Sequence, residues 1–259
     1  MPVNADADTR EERSQPDVED GLPVNELFYS LQGEGMLAGV PSVFVRTSGC
    51  NLRCWFCDSY HTSWEPTQAW MSIEKIIAEV ESHDQADHVV VTGGEPLMHD
   101  KTAGLLDRLS EAGYHTTVET NGTLYQDAQI DLASISPKLT SSTPTEQKDP
   151  KGDGEWAERH EKRRLNMEAL AELVDSYESQ LKFVVTGPDD MPEIETIIKQ
   201  VRSATSTTVA DSDVLLMPEG MTRDQLEQTR NEVAELATEY GYRYTPRLHV
   251  DLWNDAPGT

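Results

Sequence analysis

The sequence predicts an α/β fold built as an open, incomplete (β/α) barrel. Three observations carry this. Apolar runs of strand length alternate with stretches of helical period along most of the chain, joined by short links. That alternation calls for a parallel sheet with right-handed crossovers. Loops rich in chemically capable residues recur after the strands, and in a barrel the C-terminal strand ends gather on one face. A length of 259 residues suits one such domain, and no internal repeat divides it.

The elements follow in order. Residues 1–21 are polar, acidic and aperiodic and read as a disordered acidic tail, which leaves residues 22–259 as a single domain. Residues 24–30 and 42–47 read as strands, with Gly33, Gly35 and Gly39 marking the tight link between them. A cysteine-bearing loop follows. Ser72 is an N-cap for a helix whose buried stripe is Ile73, Ile76, Ile77 and Val80. Residues 88–92 form a buried strand. Leu105, Leu106 and Leu109 stripe the next helix, with Gly113 as its stop. Strands are expected at 114–119 and 132–136, then a long surface loop at about 139–160, rich in Ser, Thr, Pro, Lys, Asp and Gly. Helices follow through Leu170, Leu173, Val174 and Tyr177, and through Ile194, Ile197, Ile198 and Val201. Residues 181–186 read as a core strand, and 213–217 as another. Thr222 and Gln225 make a capping box that opens a helix through Leu226, Val233, Leu236 and Tyr240, ended by Gly241. Residues 242–250 read as a closing strand.

Composition narrows the partners. The chain has 47 Asp+Glu against 21 Lys+Arg, a net charge of −26. The acidic residues are scattered, as on a solvated acidic surface, and a halophilic protein is the sharper form of that reading. Such a surface argues against direct nucleic-acid binding. No run of 18 apolar residues is present, so no membrane span is expected. The N-terminus shows no signal-peptide pattern, and all three cysteines sit in one loop, so a reducing cytoplasm is the expected compartment.

Those cysteines are Cys50, Cys54 and Cys57, spaced C-x3-C-x2-C. An odd number packed this closely argues against disulfides. Two metal readings remain open on the residues alone. Zinc would complete a Cys3His set with His61. An iron–sulfur cluster held by three thiolates would leave one iron free for an exogenous ligand.

A second motif bears on the choice: Thr92-Gly93-Gly94-Glu95-Pro96 after the apolar run at 89–91. With the cysteine spacing it resembles the radical S-adenosylmethionine (SAM) superfamily. Further stretches narrow the resemblance to the 7-carboxy-7-deazaguanine synthase family: Leu31-Gln32-Gly33-Glu34-Gly35, Val45-Arg46-Thr47-Ser48-Gly49-Cys50, Cys57-Asp58-Ser59, Glu119-Thr120-Asn121-Gly122, Ser136-Pro137-Lys138 and Leu248-His249-Val250-Asp251-Leu252-Trp253. The resemblance covers about 25–253; residues 254–259 lack the basic ending of some members.

The resemblance implies a carbon–nitrogen lyase that converts 6-carboxy-5,6,7,8-tetrahydropterin to 7-carboxy-7-deazaguanine with loss of ammonia. The product feeds the queuosine or archaeosine of tRNA. It implies a [4Fe-4S] cluster on Cys50, Cys54 and Cys57, SAM, and Mg²⁺ on Ser59. Leu31, Gln32, Gly33, Arg46, Thr92 and His249 would contact the pterin, Arg46 as a fork for its carboxylate. Phe56, Cys57, Asp58, Gly93, Gly94, Glu95, Ser136, Pro137 and Lys138 would hold SAM. Partners implied are an electron donor such as flavodoxin or ferredoxin, and a second copy in a homodimer. Two other readings compete: a glycyl-radical activating enzyme with the same cysteine spacing, and a zinc-stabilised binding module on Cys50, Cys54, Cys57 and His61.

Overall fold

A computed structural model describes residues 21–66, 69–149, 154–254, 256 and 258. The expected acidic tail lies outside the described residues except for Gly21, which opens the first strand. β1 (Gly21–Leu31) pairs antiparallel with β2 (Pro41–Thr47), with a bulge between Val24 and Glu26. A short helix, α1 (Tyr60–Ser63), leads to β3 (Ala69–Ser72), which pairs antiparallel with the outer side of β1. From there the chain alternates: α2 (Ile73–Glu81), β4 (His88–Gly93), α3 (Thr102–Glu111), β5 (His115–Thr120), β6 (Leu132–Ile135), α4 (Ala157–Arg163), α5 (Met167–Ser176), β7 (Ser179–Val185), α6 (Met191–Ala204), β8 (Val214–Pro218), α7 (Arg223–Tyr240), β9 (Arg243–Tyr244) and α8 (Leu248–Trp253). The sheet runs β3-β1-β2-β4-β5-β6-β7-β8-β9, parallel from β2 to β9. β3 and β9 are its two edges and do not pair with each other, so the barrel stays open, as the sequence predicts.

A period of two divides the central strands between two environments. Val43 and Val45, Val89 and Val91, and Leu27 face the helices α2 and α3. Val118, Ala133, Ile135, Leu181, Phe183, Val185, Val214 and Leu216 face α5, α6 and α7. The alternate residues point inward and stack in layers. At the bottom, His88 joins Ser42 (Nδ1 to Oγ, 2.7 Å) and Thr117 (Nε2 to Oγ1, 2.7 Å). Above it lie Phe28, Phe44 and Val90, with the two phenyl rings stacked at 5.0 Å. Above those the interior opens at the C-terminal strand ends.

The helix ends follow their expected chemistry. The Ser72 hydroxyl accepts from Lys75 N at 3.3 Å, and the Thr222–Gln225 capping box is formed in full. Gly241 stops α7 in the left-handed region.

The structure corrects four local expectations. Residues 242–250 are not one strand: β9 is two residues long, and α8 follows. Pro246 has no N–H to extend the ladder, and the alternating Leu248, Val250 and Leu252 sit on a short helix of which only Val250 is buried. The expected loop at 139–160 ends early, because α4 begins at Ala157; its face is polar apart from the buried His160. α1 and β3 were not foreseen.

Candidate active site

The interior opens into a cavity of about 610 Å³ at the C-terminal ends of the strands. The cysteine loop leaves β2 and forms one wall. Gly49 starts it with φ 101°, a left-handed turn suited to glycine, and Gly49 N donates to Thr62 O at 2.8 Å. Trp64 Nε1 donates to Cys54 O at 3.0 Å. The thiols are free. Cys50 Sγ accepts from Leu52 N at 3.4 Å, and Cys57 Sγ from Ser63 Oγ at 3.1 Å. Burial pushes all three thiols up, Cys57 to about 12, so ionisation here calls for a bound cation to carry the charge.

The donor set discriminates between the metal readings. A single tetrahedral zinc gathers its ligand atoms tightly. Among the described residues, the trio of potential ligand atoms lying within 4.8 Å of one another is Glu34, Asp58 and His249, not the cysteines. His61 Nε2 instead faces Glu26 Oε2 at 3.4 Å. The thiols of Cys50, Cys54 and Cys57 face one cavity without making such a tight set with His61, which fits a polynuclear cluster, and the Cys3His zinc site is not formed among the described residues.

The opposite wall is polar and charge-balanced. Glu34 sits between Lys182 (Nζ to Oε2, 2.6 Å) and Arg247 (Nε to Oε1, 3.1 Å), and Arg247 also contacts Asp58. Burial opposes ionisation of Glu34, but Lys182 and Arg247 outweigh it and hold its carboxyl well below the usual range. Gln32 Nε2 donates to Glu119 Oε1 at 3.1 Å, and Thr92 Oγ1 to Glu119 Oε2 at 2.8 Å. Arg46 donates Nη1 to Ser59 Oγ at 2.8 Å. Its Nε lies 2.8 Å from Glu26 Oε2 but off the line of a hydrogen bond, so that contact is an ion pair. The loop after β1 meets α8 here: Leu248 N donates to Gly33 O at 2.8 Å, and a Cβ on Gly33 would collide with the His249 imidazole. Burial lowers the pKa of that imidazole.

Of the residues expected at a site, Leu31, Gln32, Gly33, Arg46, Cys50, Cys54, Phe56, Cys57, Asp58, Ser59, Thr92, Gly93, Gly94, Ser136, Lys138 and His249 line this one cavity. Glu95 and Pro137 do not. Glu95 is fully buried, and its carboxylate is taken by Leu97 N (3.0 Å), Thr120 Oγ1 (2.8 Å) and Asn121 N (2.7 Å). Burial raises its pKa to about 7. It braces the turn from beneath. Pro137 is buried between Ser136 and Lys138, whose side chains do face the cavity and bond each other at 2.6 Å. The glycines have a reason in the chain itself. A Cβ on Gly93 would strike the Thr47 backbone, and one on Gly94 the Gly49 carbonyl.

The sequence reading assigned no role to Glu34, Glu119 or Arg247, and preferred a plain core strand over SAM contacts for residues 182–185; all four of Glu34, Glu119, Lys182 and Arg247 line the cavity. Lys182 carried a usable signal, as a lone cation in the apolar strand Leu181-Lys182-Phe183-Val184-Val185. Residues 182–185 are therefore only half core, because Lys182 and Val184 face the cavity.

Comparison with known proteins agrees with this geometry. Residues 44–136 match the radical SAM superfamily. The chain is 70% identical to 7-carboxy-7-deazaguanine synthase of Halobacterium salinarum over 92% of its own length and 93% of that protein's. It is 41% identical to the enzyme of that name from Rhodopirellula baltica, over 93% and 90%. The crystal structure of QueE from Escherichia coli superposes with a TM-score of 0.63 at 25% identity, covering 88% of this chain and 95% of that one.

Proposed function

The chain belongs to the 7-carboxy-7-deazaguanine synthases of the radical SAM superfamily, and we propose that its cavity converts 6-carboxy-5,6,7,8-tetrahydropterin to 7-carboxy-7-deazaguanine with release of ammonia. One observation supports this above the others. The three thiols share a single cavity with an amide–carboxylate edge, Gln32–Glu119–Thr92, and a guanidinium, Arg46.

Cys50, Cys54 and Cys57 would hold the [4Fe-4S] cluster, beside SAM bound along Phe56, Asp58, Gly93, Gly94, Ser136 and Lys138. When bound, cluster and SAM supply a one-electron cleavage that yields a hydrogen-abstracting radical. The chain's own residues do the rest. Gln32 and Glu119 present a donor–acceptor edge that matches the pyrimidine side of a pterin. Phe28 and Phe44 offer a flat apolar wall for its ring. Arg46 attracts the C6 carboxylate, and Ser59, bonded to Arg46, supplies a hydroxyl oxygen for Mg²⁺ next to that carboxylate. His249 and Gly33 close the pterin side against water. Glu95 and Pro137 act from behind, by holding the turns that carry Gly94 and Lys138.

The wider setting belongs to the same proposal: a cytoplasmic, halophilic enzyme working as a homodimer. It would be fed electrons by a carrier of the flavodoxin or ferredoxin type, its product destined for archaeosine or queuosine in tRNA. No described helix is long and apolar enough to cross a membrane. The experiment is direct. Anaerobically reconstituted enzyme with SAM, dithionite, Mg²⁺ and the carboxypterin yields 7-carboxy-7-deazaguanine by mass spectrometry. Cluster-loaded enzyme that forms none rejects the proposal. Relatives and cavity give no support to glycyl-radical activation.

A further inference from the structure

The short helix α1 grips the cysteine loop at three points. Thr62 O accepts from Gly49 N at 2.8 Å, just ahead of Cys50. Trp64, which caps the helix, donates Nε1 to Cys54 O at 3.0 Å. Ser63 donates Oγ to the sulfur of Cys57 at 3.1 Å. Ser63 is 2% exposed and lines the cavity beside the three cysteines. The donors that approach Cys50 Sγ are amides at longer range, Leu52 N at 3.4 Å and Asn121 Nδ2 at 4.0 Å.

The Ser63 bond is poorly matched to a neutral thiol. A serine or threonine in a helix ordinarily turns its hydroxyl back to a carbonyl three or four residues earlier. The neighbouring Thr62 does so, donating Oγ1 to Ser59 O at 2.7 Å. Ser63 instead directs a buried donor at sulfur, which as a thiol is a weak acceptor. A thiolate is a far better one, because the hydrogen bond is then charge-assisted. The donor therefore suits Cys57 in its ligating form. The contacts of α1 with Gly49 and Cys54 fix the helix independently of that sulfur, so the hydroxyl is held in place before any charge develops there.

We propose that Ser63 is a positioning residue that acts through Cys57: its hydroxyl hydrogen-bonds this ligand of the [4Fe-4S] cluster and raises the cluster's reduction potential. The proposal rests on the radical SAM reading of the three cysteines. The step it tunes is a single electron transfer. A low-potential reductant is oxidised by one electron, the cluster is reduced by one, and no bond or proton moves. The added negative charge falls partly on the ligand sulfurs, so a donor aimed at one of them stabilises the reduced form more than the oxidised form. The site gives this donor something to oppose. Asp58 follows Cys57 directly and lines the same cavity, and a carboxylate so close disfavours an incoming electron. Arg247 contacts Asp58 and offsets part of that field, and Ser63 acts on the sulfur itself.

The test is an anaerobic redox titration of cluster-loaded enzyme without SAM, followed by the electron paramagnetic resonance of the reduced cluster. Iron and sulfide per chain are measured on every sample. In Ser63→Ala the equilibrium constant for reduction should fall about 10-fold, a midpoint about 59 mV more negative for a one-electron couple. Ser63→Thr keeps a hydroxyl and should stay near the parent. Ser63→Val, of the same size without one, should shift with Ser63→Ala. The Thr and Val pair carries the comparison if Ser63→Ala does not melt like the parent. Thr62→Val removes the neighbouring hydroxyl, which bonds a carbonyl and not sulfur, and should leave the potential in place. Equal midpoints with and without the Ser63 hydroxyl, at equal iron content, overturn the proposal. So does an equal shift in Thr62→Val, which would place the effect in the helix rather than in the bond. Hydroxyl-free variants that fold but take up no cluster overturn it as well, because Ser63 would then build the centre and not tune it. Parent protein without iron–sulfur absorption would instead refute the family reading beneath it.

Discussion

At the scale of single residues, the cavity is governed by one largely enclosed carboxylate. Glu34 compensates two cations, Lys182 and Arg247, that are themselves almost wholly buried. Removing one partner of a buried pair leaves an uncompensated charge, at a cost of about 3–5 kcal/mol. Glu34→Gln should therefore destabilise the fold by about 3 kcal/mol. Adding Lys182→Met removes one orphaned cation, so the double variant should be less destabilised than the sum of the two single changes. Urea unfolding of all four proteins measures this, and strict additivity would refute the coupling. This cluster also marks the limit of what one sequence reveals. The cysteines, Gln32, Arg46 and Lys138 were legible because motif spacing is local. Glu34 and Lys182 lie 148 positions apart and Glu34 and Arg247 lie 213 apart, and only the topology brings such partners together.

At the scale of elements, the turn after β4 is seated on the start of the cysteine loop. Gly94 N donates to Thr47 O at 3.2 Å and Glu95 N to Gly49 O at 2.9 Å, with no room for a Cβ between them. Gly94→Ala should push the loop outward and cut cluster occupancy at least by half, read as iron and sulfide per chain after identical reconstitution. Full loading would mean that the loop gives way without penalty. The bottom of the interior has its own signature. Burial, aided by His115, holds the pKa of His88 down to about 4. A histidine whose folded pKa lies below its unfolded value of about 6.5 loses stability as pH falls through that window. His88 should thus withdraw up to about 3 kcal/mol between about pH 6.5 and pH 4, and little more below. His160 titrates over the same range, so the comparison is between parent and His88→Gln: the variant's urea midpoint should fall less on acidification. An equal fall would remove His88 from the account. Strands and helices with strong periodicity were legible at this scale. α4 and α8 were not, because each is a helix of six or seven residues with one buried side chain, too short to show a period.

At the scale of the whole molecule, the open barrel followed from β–α alternation and is what the sheet order displays. The net charge of −26 acts here as well. Self-repulsion of that size is screened when the Debye length falls from about 10 Å at about 0.1 M salt to about 3 Å at about 1 M. The thermal midpoint should rise by at least about 5 °C between about 0.1 M and about 2 M KCl, a gain of about 2 kcal/mol for a chain of this size. A flat midpoint would show that the acidic surface carries no such penalty. Charge count was plain in the sequence, but its placement was not. Arg53, Lys148 and Arg159 rest on the rings of Trp55 and Trp156, a surface feature formed only when α4 packs beside the cysteine loop.

The junction of Gly33 with α8 has a temporal consequence. A ribosome releases Gln32 and the cysteines long before it reaches His249, so the newly made barrel passes through a stage in which one side of its mouth has not yet been supplied. The side of the mouth that α8 supplies is therefore the last part of the cavity to be completed as the chain is made.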